Sequence, residues 1–138
     1  MCGFGLLIAG PALAVMSGQG ASAAGSGTAM APVDVVEVSG LVDTIVADSI
    51  TNALVRSQNN GSQAVILQLN SKGAVIGRER MAELLTSISD SKIPVAVWVG
   101  PSGSRAYGLP AQMLAVADVT AMAPGARIGR TGTMLSVN

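Results

Sequence analysis

The stretch from Ala64 to Leu69 reads AVILQL, a nearly continuous apolar run with the length of one β-strand. A second run of this kind, VAVWV from Val95 to Val99, follows Pro94. Strands that are apolar on both faces are typical of parallel sheets, because other elements cover both faces there. The two runs therefore indicate a parallel sheet within an α/β protein.

The segments around these runs alternate between strand-like and helix-like patterns. Val33 to Val38 is rich in β-branched residues and stops at Gly40, and helical spacing of apolar residues follows until Asn60 and Gly61. We predict strands at 33–38, 64–69, 95–99 and 119–123, a helix from Val46 that Asn59-Asn60-Gly61 stops, and helices at 81–88 and around 111–117. Such alternation implies right-handed crossovers and a mostly parallel sheet.

The size and composition of the chain exclude several classes of protein. Its 138 residues are enough for one ordinary domain. The chain is 49% hydrophobic, which excludes a disordered chain. Eight basic residues balance eight acidic ones, so no net charge attracts a polyanion and we expect no nucleic-acid partner.

The side chains available for catalysis are few. Histidine is absent and Cys2 is the single cysteine, which excludes Ser-His and Cys-His catalysis, histidine-containing zinc sites and an internal disulfide. A Ser or Thr nucleophile with a Lys base, carboxylate chemistry and backbone oxyanion stabilisation stay open, as does the absence of chemistry. We expect no cofactor and no metal.

The first charged residue is Asp34, so residues 1–32 differ from the rest of the chain. Gly3 to Met16 is apolar, and the small-residue stretch from Ser17 to Thr28 carries an Ala-x-Ala pattern at Ala21 and Ala23. These features favour an export signal and small-residue linker at 1–32, followed by one domain at 33–138. Since no Lys or Arg precedes the apolar run, an uncleaved membrane-associated leader and a disordered cytoplasmic tail stay open.

Three loops follow the predicted strands, at 70–74, 100–110 and 124–132. The carboxyl ends of parallel strands meet at one edge of the sheet, where functional groups gather. Glycine in such loops can expose backbone N–H groups to an anion or oxyanion, but it also serves ordinary turns. The sequence therefore places a candidate site at these loops.

Other motifs are better explained by structure than by chemistry. Ser89 and Lys92 match a Ser-x-x-Lys spacing, but they lie at a predicted helix end. Glu79 and Glu83 share a polar helix face. Arg127 and Arg130 could hold a phosphate, although the Lys-Ser/Thr ending of a P-loop is missing.

The stretch from Val35 to Gly129 resembles the amino-terminal domain of NfeD-like proteins, membrane-associated members of the Clp-protease proteolytic-subunit (ClpP, crotonase-like) superfamily. Four landmarks carry the resemblance: VEVSGLV at 36–42, AVILQLNSKGA at 64–74, IPVAVWVGPSGSRA at 93–106 and AMAPGARIG at 121–129. The resemblance implies repeated strand-helix units with a mostly parallel sheet, here incomplete at the C-terminus. In active relatives it implies a Ser-Lys dyad with backbone oxyanion donors.

The departures from the family pattern fall on the catalytic positions. The resemblance places the oxyanion loop at Gly73 and Ala74, the second glycine of the loop being replaced. It places Gly108 at the position of the nucleophilic serine, and it places the catalytic lysine beyond Asn138. A substitute dyad of Ser102 or Ser104 with Lys72 is conceivable, because their loops are expected to open on the same side of the sheet.

From this resemblance we expect an exported NfeD-like domain that serves as a catalytically inactive binding or assembly module at the membrane. The alternative is a membrane-associated serine endopeptidase that uses a displaced serine or residues supplied by a partner subunit. An acyl-CoA-handling relative and a non-functional fragment also stay open. Uncovered apolar faces lead us to expect a homo-oligomer or a membrane-protein partner, with a peptide as ligand.

Overall fold

Six strands and three α-helices alternate in the computed structural model, which describes residues 30–137. The strands are β1 (Val33–Val42), β2 (Ala64–Ala74), β3 (Val95–Val99), β4 (Arg105–Tyr107), β5 (Val119–Met122) and β6 (Arg127–Gly129). The helices are α1 (Thr44–Asn59), α2 (Arg78–Ser89) and α3 (Met113–Val116), and a 3₁₀ turn at Leu109–Gln112 precedes α3. Residues 1–29 of the predicted export signal and linker at 1–32, with Cys2, Ala21 and Ala23, lie outside the described range.

All strand pairs are parallel, in the order β5-β3-β2-β4-β6, and β1 pairs with the other edge of β2. β2 is the longest strand and organises the sheet. Its first half pairs with β3, from Val65 to Leu69, and further along the same edge Ser71 pairs with Ala106 of β4. The predicted α/β fold with a mostly parallel sheet is confirmed.

Local signals account for the two long helices. The Asp43 side chain accepts a hydrogen bond from the Val46 N–H (2.8 Å) and caps the start of α1. The predicted apolar stripe of α2 is confirmed, since its buried residues are Met81, Leu84, Leu85 and Ile88. Both helices pack on one face of the sheet and enclose the core with the buried residues of the central strands, Val65, Leu67, Leu69, Val95, Val97 and Val99.

Several predicted boundaries are wrong. β1 does not stop at Gly40 but continues to Val42 through a register shift, with Gly40 at a φ of +83°. The predicted loop at 70–74 is the end of β2, because β1 and β4 pair with it there. The loops at 100–110 and 124–132 contain the short strands β4 and β6, and the predicted strand 119–123 ends at Met122.

The face of the sheet that points away from the helices is open in the described part of the chain. Val33 and Val35 of β1 are exposed, and all four residues of β5 are exposed. This agrees with the expected uncovered apolar surface, while the oligomer or partner that would cover it stays a prediction. None of the helices between residues 30 and 137 is long and apolar enough to cross a membrane.

Candidate functional site

The three predicted loop regions meet at one end of the sheet. The Arg105 N–H donates to Asn70 Oδ1 (3.1 Å), which joins β4 to the end of β2. The Ser102 hydroxyl donates to the Pro124 carbonyl (2.6 Å), and Arg105 pairs with Arg127 of β6. The three segments meet as predicted, although short strands lie within them, and a functional site at this place stays a prediction.

Gly108 lies at the turn between β4 and the 3₁₀ turn, directly against Gly73. A Cβ atom built on Gly108 would lie 3.6 Å from the Gly73 Cα. Gly108 has φ +70° and ψ −146°, a conformation that residues with a Cβ rarely adopt. A strained strand-to-helix turn is also how some hydrolases present a nucleophile. The resemblance thus places the nucleophile position at a turn of suitable shape, but the residue there has no side chain.

Two backbone donors at this contact are already engaged. The Gly73 N–H donates to Ser71 Oγ (3.3 Å), and the Ser71 hydroxyl donates to the Gly73 carbonyl (2.9 Å). Ser71 is fully buried, whereas Gly73 is half-buried. The Gly108 N–H donates to the Gly129 carbonyl (3.1 Å). Neither N–H therefore points freely toward a bound oxyanion in this conformation.

Ala74, the other residue of the predicted oxyanion loop, is the last residue of β2. It is half-buried and pairs with Val42 at the end of β1. The next residue, Val75, donates its N–H to the Val42 carbonyl (2.9 Å). The segment is therefore an extended strand end held by β1, and the oxyanion role of Gly73 and Ala74 stays a prediction.

The proposed substitute dyad is not assembled in this conformation. Ser102 is exposed, and its hydroxyl is bonded to Pro124 as described. Ser104 is 3% exposed, and its backbone bonds to Pro101 and Arg127. Lys72 is exposed, and among residues 30–137 no hydrogen bond joins it to Ser102 or Ser104. A catalytic role for these three residues stays a prediction.

The weaker sequence motifs lie away from the candidate site or have structural roles. Ser89 ends α2, and Lys92 lies exposed before β3, at the opposite end of the strands from the site. Glu83 forms an ion pair with Arg80 (2.7 Å) on the exposed face of α2, as expected for a solvated surface. The stretch that contains Arg127 and Arg130 forms β6 and irregular chain, with Arg130 at a φ of +54°, and no helix follows it up to residue 137 as it would after a P-loop.

Gln112 is a structural residue that the sequence reasoning missed. It is 1% exposed, and its Nε2 donates to the carbonyls of Thr131 (2.7 Å) and Thr133 (3.0 Å). Its Oε1 accepts from the Leu135 N–H (3.0 Å). Gln112 thereby fixes the chain after β6 against the domain. The available signal was a lone polar residue within the apolar segment LPAQMLAV.

A second missed cluster lies at the opposite end of the sheet, around Asp34. The Asp34 carboxylate accepts hydrogen bonds from the Ser57 and Ser62 hydroxyls, the latter at 2.7 Å. These hydrogen bonds lower the pKa of Asp34 below its ordinary value of 3.8, and the positive charge of Arg56 lowers it by a smaller amount. A cavity of about 270 Å³ adjoins the cluster, lined in part by Asn60. Since both serines are buried and bonded, the cluster joins α1 to β1.

Comparisons with known proteins agree with the geometry. No model of a protein family matches the chain. The chain is 29% identical over 96 residues to the membrane-bound protease PH1510 of Pyrococcus horikoshii, a match that covers 69% of this chain and 21% of that protein.

Three solved structures of a related protein superimpose on the chain, each over 73% of its length. A lysine-to-alanine variant of the 1510-N membrane-bound stomatin-specific protease, in complex with a substrate peptide, gives a TM-score of 0.68 at 27% identity and is covered to 45%. A serine-to-alanine variant gives 0.68 at 27% identity and is covered to 48%. The 1510-N membrane protease specific for a stomatin homolog from Pyrococcus horikoshii gives 0.67 at 26% identity and is covered to 50%.

Fold and sequence similarity together define the chain as a ClpP-fold, protease-like domain. Its resemblance to NfeD-like proteins is confirmed, because these matches cover 69% to 73% of the chain at more than a quarter identity. The chain spans about a fifth of the curated relative and about half of each solved chain.

Proposed function

We propose that this chain is an exported, catalytically inactive ClpP-fold domain that binds a peptide or takes part in assembly at a membrane. The observation that carries the proposal is Gly108. The family pattern requires a serine at this position to attack the peptide carbonyl, and glycine supplies no nucleophile. The proposal concerns this domain, and the activity of a longer protein would depend on its other parts.

The hydrogen bonds around Gly108 support the loss of activity. Stabilisation of an oxyanion needs N–H donors that are free and aimed at the reacting oxygen. Here the N–H groups of Gly73 and Gly108 bond to Ser71 and to Gly129. Catalysis would require at least one of these bonds to break, which costs part of the stabilisation that the donor would give.

The peptide and membrane parts of the proposal come from the relatives. The 1510-N protease was solved with a substrate peptide, and both it and PH1510 are named membrane-bound. A domain that keeps the fold but lacks the nucleophile can retain binding, because backbone recognition of an extended peptide does not need the serine. Export is supported by the predicted signal at residues 1–32.

The second candidate function is a membrane-associated serine endopeptidase, and the names of the relatives favour it. It would use Ser102 or Ser104 with Lys72, or residues from a partner subunit. Of the two serines, Ser102 is exposed and its hydroxyl makes a single hydrogen bond. A modest movement of the 100–104 segment would free that hydroxyl, whereas Ser104 is buried.

Exposure of the folded protein to a fluorophosphonate serine probe, followed by intact-mass spectrometry, separates the two functions. We expect no adduct on the folded protein. Cooperative unfolding of the same sample on heating shows that it was folded. An adduct of one probe per chain would refute the proposed lack of catalytic activity. Loss of that adduct in Ser102→Ala or Ser104→Ala would then identify the nucleophile. The same two variants are expected to leave any cellular phenotype of the gene unchanged.

A further inference from the structure

Three exposed basic residues lie on neighbouring strands of the sheet. Lys72 of β2, Arg105 of β4 and Arg127 of β6 are all exposed, and we call them the basic strip. Arg105 and Arg127 are directly paired in the parallel ladder between β4 and β6. Neighbouring strands are about 4.8 Å apart, so the two guanidinium groups start from adjacent positions.

The alternation of side chains along the strands places Arg105 and Arg127 on a single face. Ser71 and Ala106 pair with each other, and both are fully buried on the core side. Arg105 precedes Ala106, so its side chain points to the opposite face, and Lys72, which the register between β1 and β2 skips, is exposed on the neighbouring strand. Arg127 shares the face of Arg105 because paired residues of adjacent strands point the same way.

The charges of the basic strip are not neutralised within the described part of the chain. Neither ion pair found between residues 30 and 137 involves the strip, since both belong to Arg80. Like charges at directly paired positions repel each other, and an anion between them removes the repulsion. Two adjacent guanidinium groups are well suited to a carboxylate, which each can bind through two parallel hydrogen bonds.

The basic strip adjoins the contact between Gly73 and Gly108. Lys72 precedes Gly73 in β2, and Tyr107 links Arg105 and Ala106 to Gly108. A peptide that crosses the exposed positions of β2, β4 and β6 passes the basic strip. An extended peptide presents alternate side chains on one side, about 7 Å apart, so acidic residues at alternate positions would face it.

We propose that the basic strip selects acidic peptides, with carboxylates at alternate positions, along the exposed positions of β2, β4 and β6. The proposal rests on the proposed peptide-binding function. A peptide fits better than an anionic membrane surface, because recruitment to a membrane by charge takes about four to eight basic residues and the strip has three. The chain as a whole has no net charge, which leaves the local strip as the source of selectivity.

The test measures binding of two dye-labelled eight-residue peptides to the purified full chain by fluorescence anisotropy. One peptide carries glutamate at alternate positions, and the other carries glutamine there. At low ionic strength we expect the glutamate peptide to bind roughly tenfold more tightly, since each exposed ion pair contributes a factor of about two to five. The difference should shrink at about 0.2 M salt, where exposed charges are screened.

Matched variants assign the effect to the strip. Arg105→Gln/Arg127→Gln should remove most of the preference for glutamate, and Lys72→Gln should reduce it about threefold. Lys92→Gln is the control, because it removes one exposed lysine at the other end of the strands and should leave the preference intact. All variants should unfold within about 2 °C of the parent, since exposed side chains are changed.

The outcomes separate the acidic preference from the binding function itself. If both peptides bind with equal affinity, the preference is refuted and peptide binding stands. If neither binds, peptide binding fails and the preference fails with it. A third arm measures co-sedimentation with phosphatidylcholine vesicles, with and without phosphatidylglycerol. The proposal would be overturned by two results together: the two peptides bind equally, and the chain binds anionic vesicles in a way that Arg105→Gln/Arg127→Gln abolishes. The strip would then be assigned to the membrane.

Discussion

Replacing Gly108 with alanine tests whether the backbone at the nucleophile position is strained. The site has φ +70° and ψ −146°, and a residue with a Cβ costs about 1 to 3 kcal/mol in such a region. The new Cβ would lie 3.6 Å from the Gly73 Cα, an ordinary contact, so steric overlap adds nothing. Alanine also lowers the entropy of the unfolded chain, which recovers about 0.4 to 1 kcal/mol.

The expected net loss in the free energy of unfolding is therefore about 1 to 2 kcal/mol. For a domain of this size such a loss lowers the unfolding temperature by about 5 to 15 °C. Thermal unfolding followed by circular dichroism measures it. Gly129→Ala is the matched control, because Gly129 lies outside the left-handed region and its Cβ would rest 3.5 Å from the Tyr107 ring.

The control variant should unfold at the parent temperature or slightly above it. If Gly108→Ala were as stable as Gly129→Ala, the strain argument would be wrong. Gly108→Ser should lose as much stability as Gly108→Ala, because both introduce the same Cβ. A serine at this position would then lower the free energy of unfolding relative to the native glycine.

Three further predictions concern stability. Hydrogen bonds lower the folded-state pKa of Asp34, so the stability that its carboxylate contributes is complete above the ordinary pKa of 3.8 and is lost as pH falls through the folded-state pKa. The free energy of unfolding of Asp34→Asn, measured in urea, should therefore depend less on pH below about 4 than that of the parent. Val97→Ala should lower the free energy of unfolding by about 1.5 to 3 kcal/mol because Val97 is 0% exposed, whereas Val35→Ala, at 61% exposed, should change it by less than about 0.5 kcal/mol. Gln112→Ala removes three hydrogen bonds to the chain after β6 and should speed tryptic cleavage at Arg130 at least fivefold.

Controls for these experiments are available in the same chain. Gln58→Ala removes one hydrogen bond, to Ser91 at 3.3 Å, and should leave cleavage at Arg130 unchanged. Equal cleavage of the Gln58 and Gln112 variants would refute the anchoring role of Gln112. An unchanged acid dependence in Asp34→Asn would show that the serine bonds do not stabilise the ionised carboxylate. Equal losses for the two valines would mean that the exposed face is covered in solution.

The long elements were predictable because their signals are local. The helical spacing of α2 is a periodic signal, and the apolar run of β2 has the length of a strand and contains β-branched residues. The meeting of the three segments was also predictable, since the carboxyl ends of parallel strands meet whatever the side chains are. β4 and β6 were missed because three residues are too few to show periodicity, and pairing with neighbouring strands alone makes them strands.

The sequence by itself determined the fold class, the end of the sheet at which the three segments meet and the absence of histidine chemistry, because these depend on composition and on periodicity along the chain. Only the tertiary structure decided that Gly108 faces Gly73 and that their N–H groups bond elsewhere. It alone also joined Lys72, Arg105 and Arg127 into one strip, since strand register brings together residues up to 55 positions apart in the chain. Such contacts leave no periodic trace in the sequence, because distant segments that meet only after folding create them.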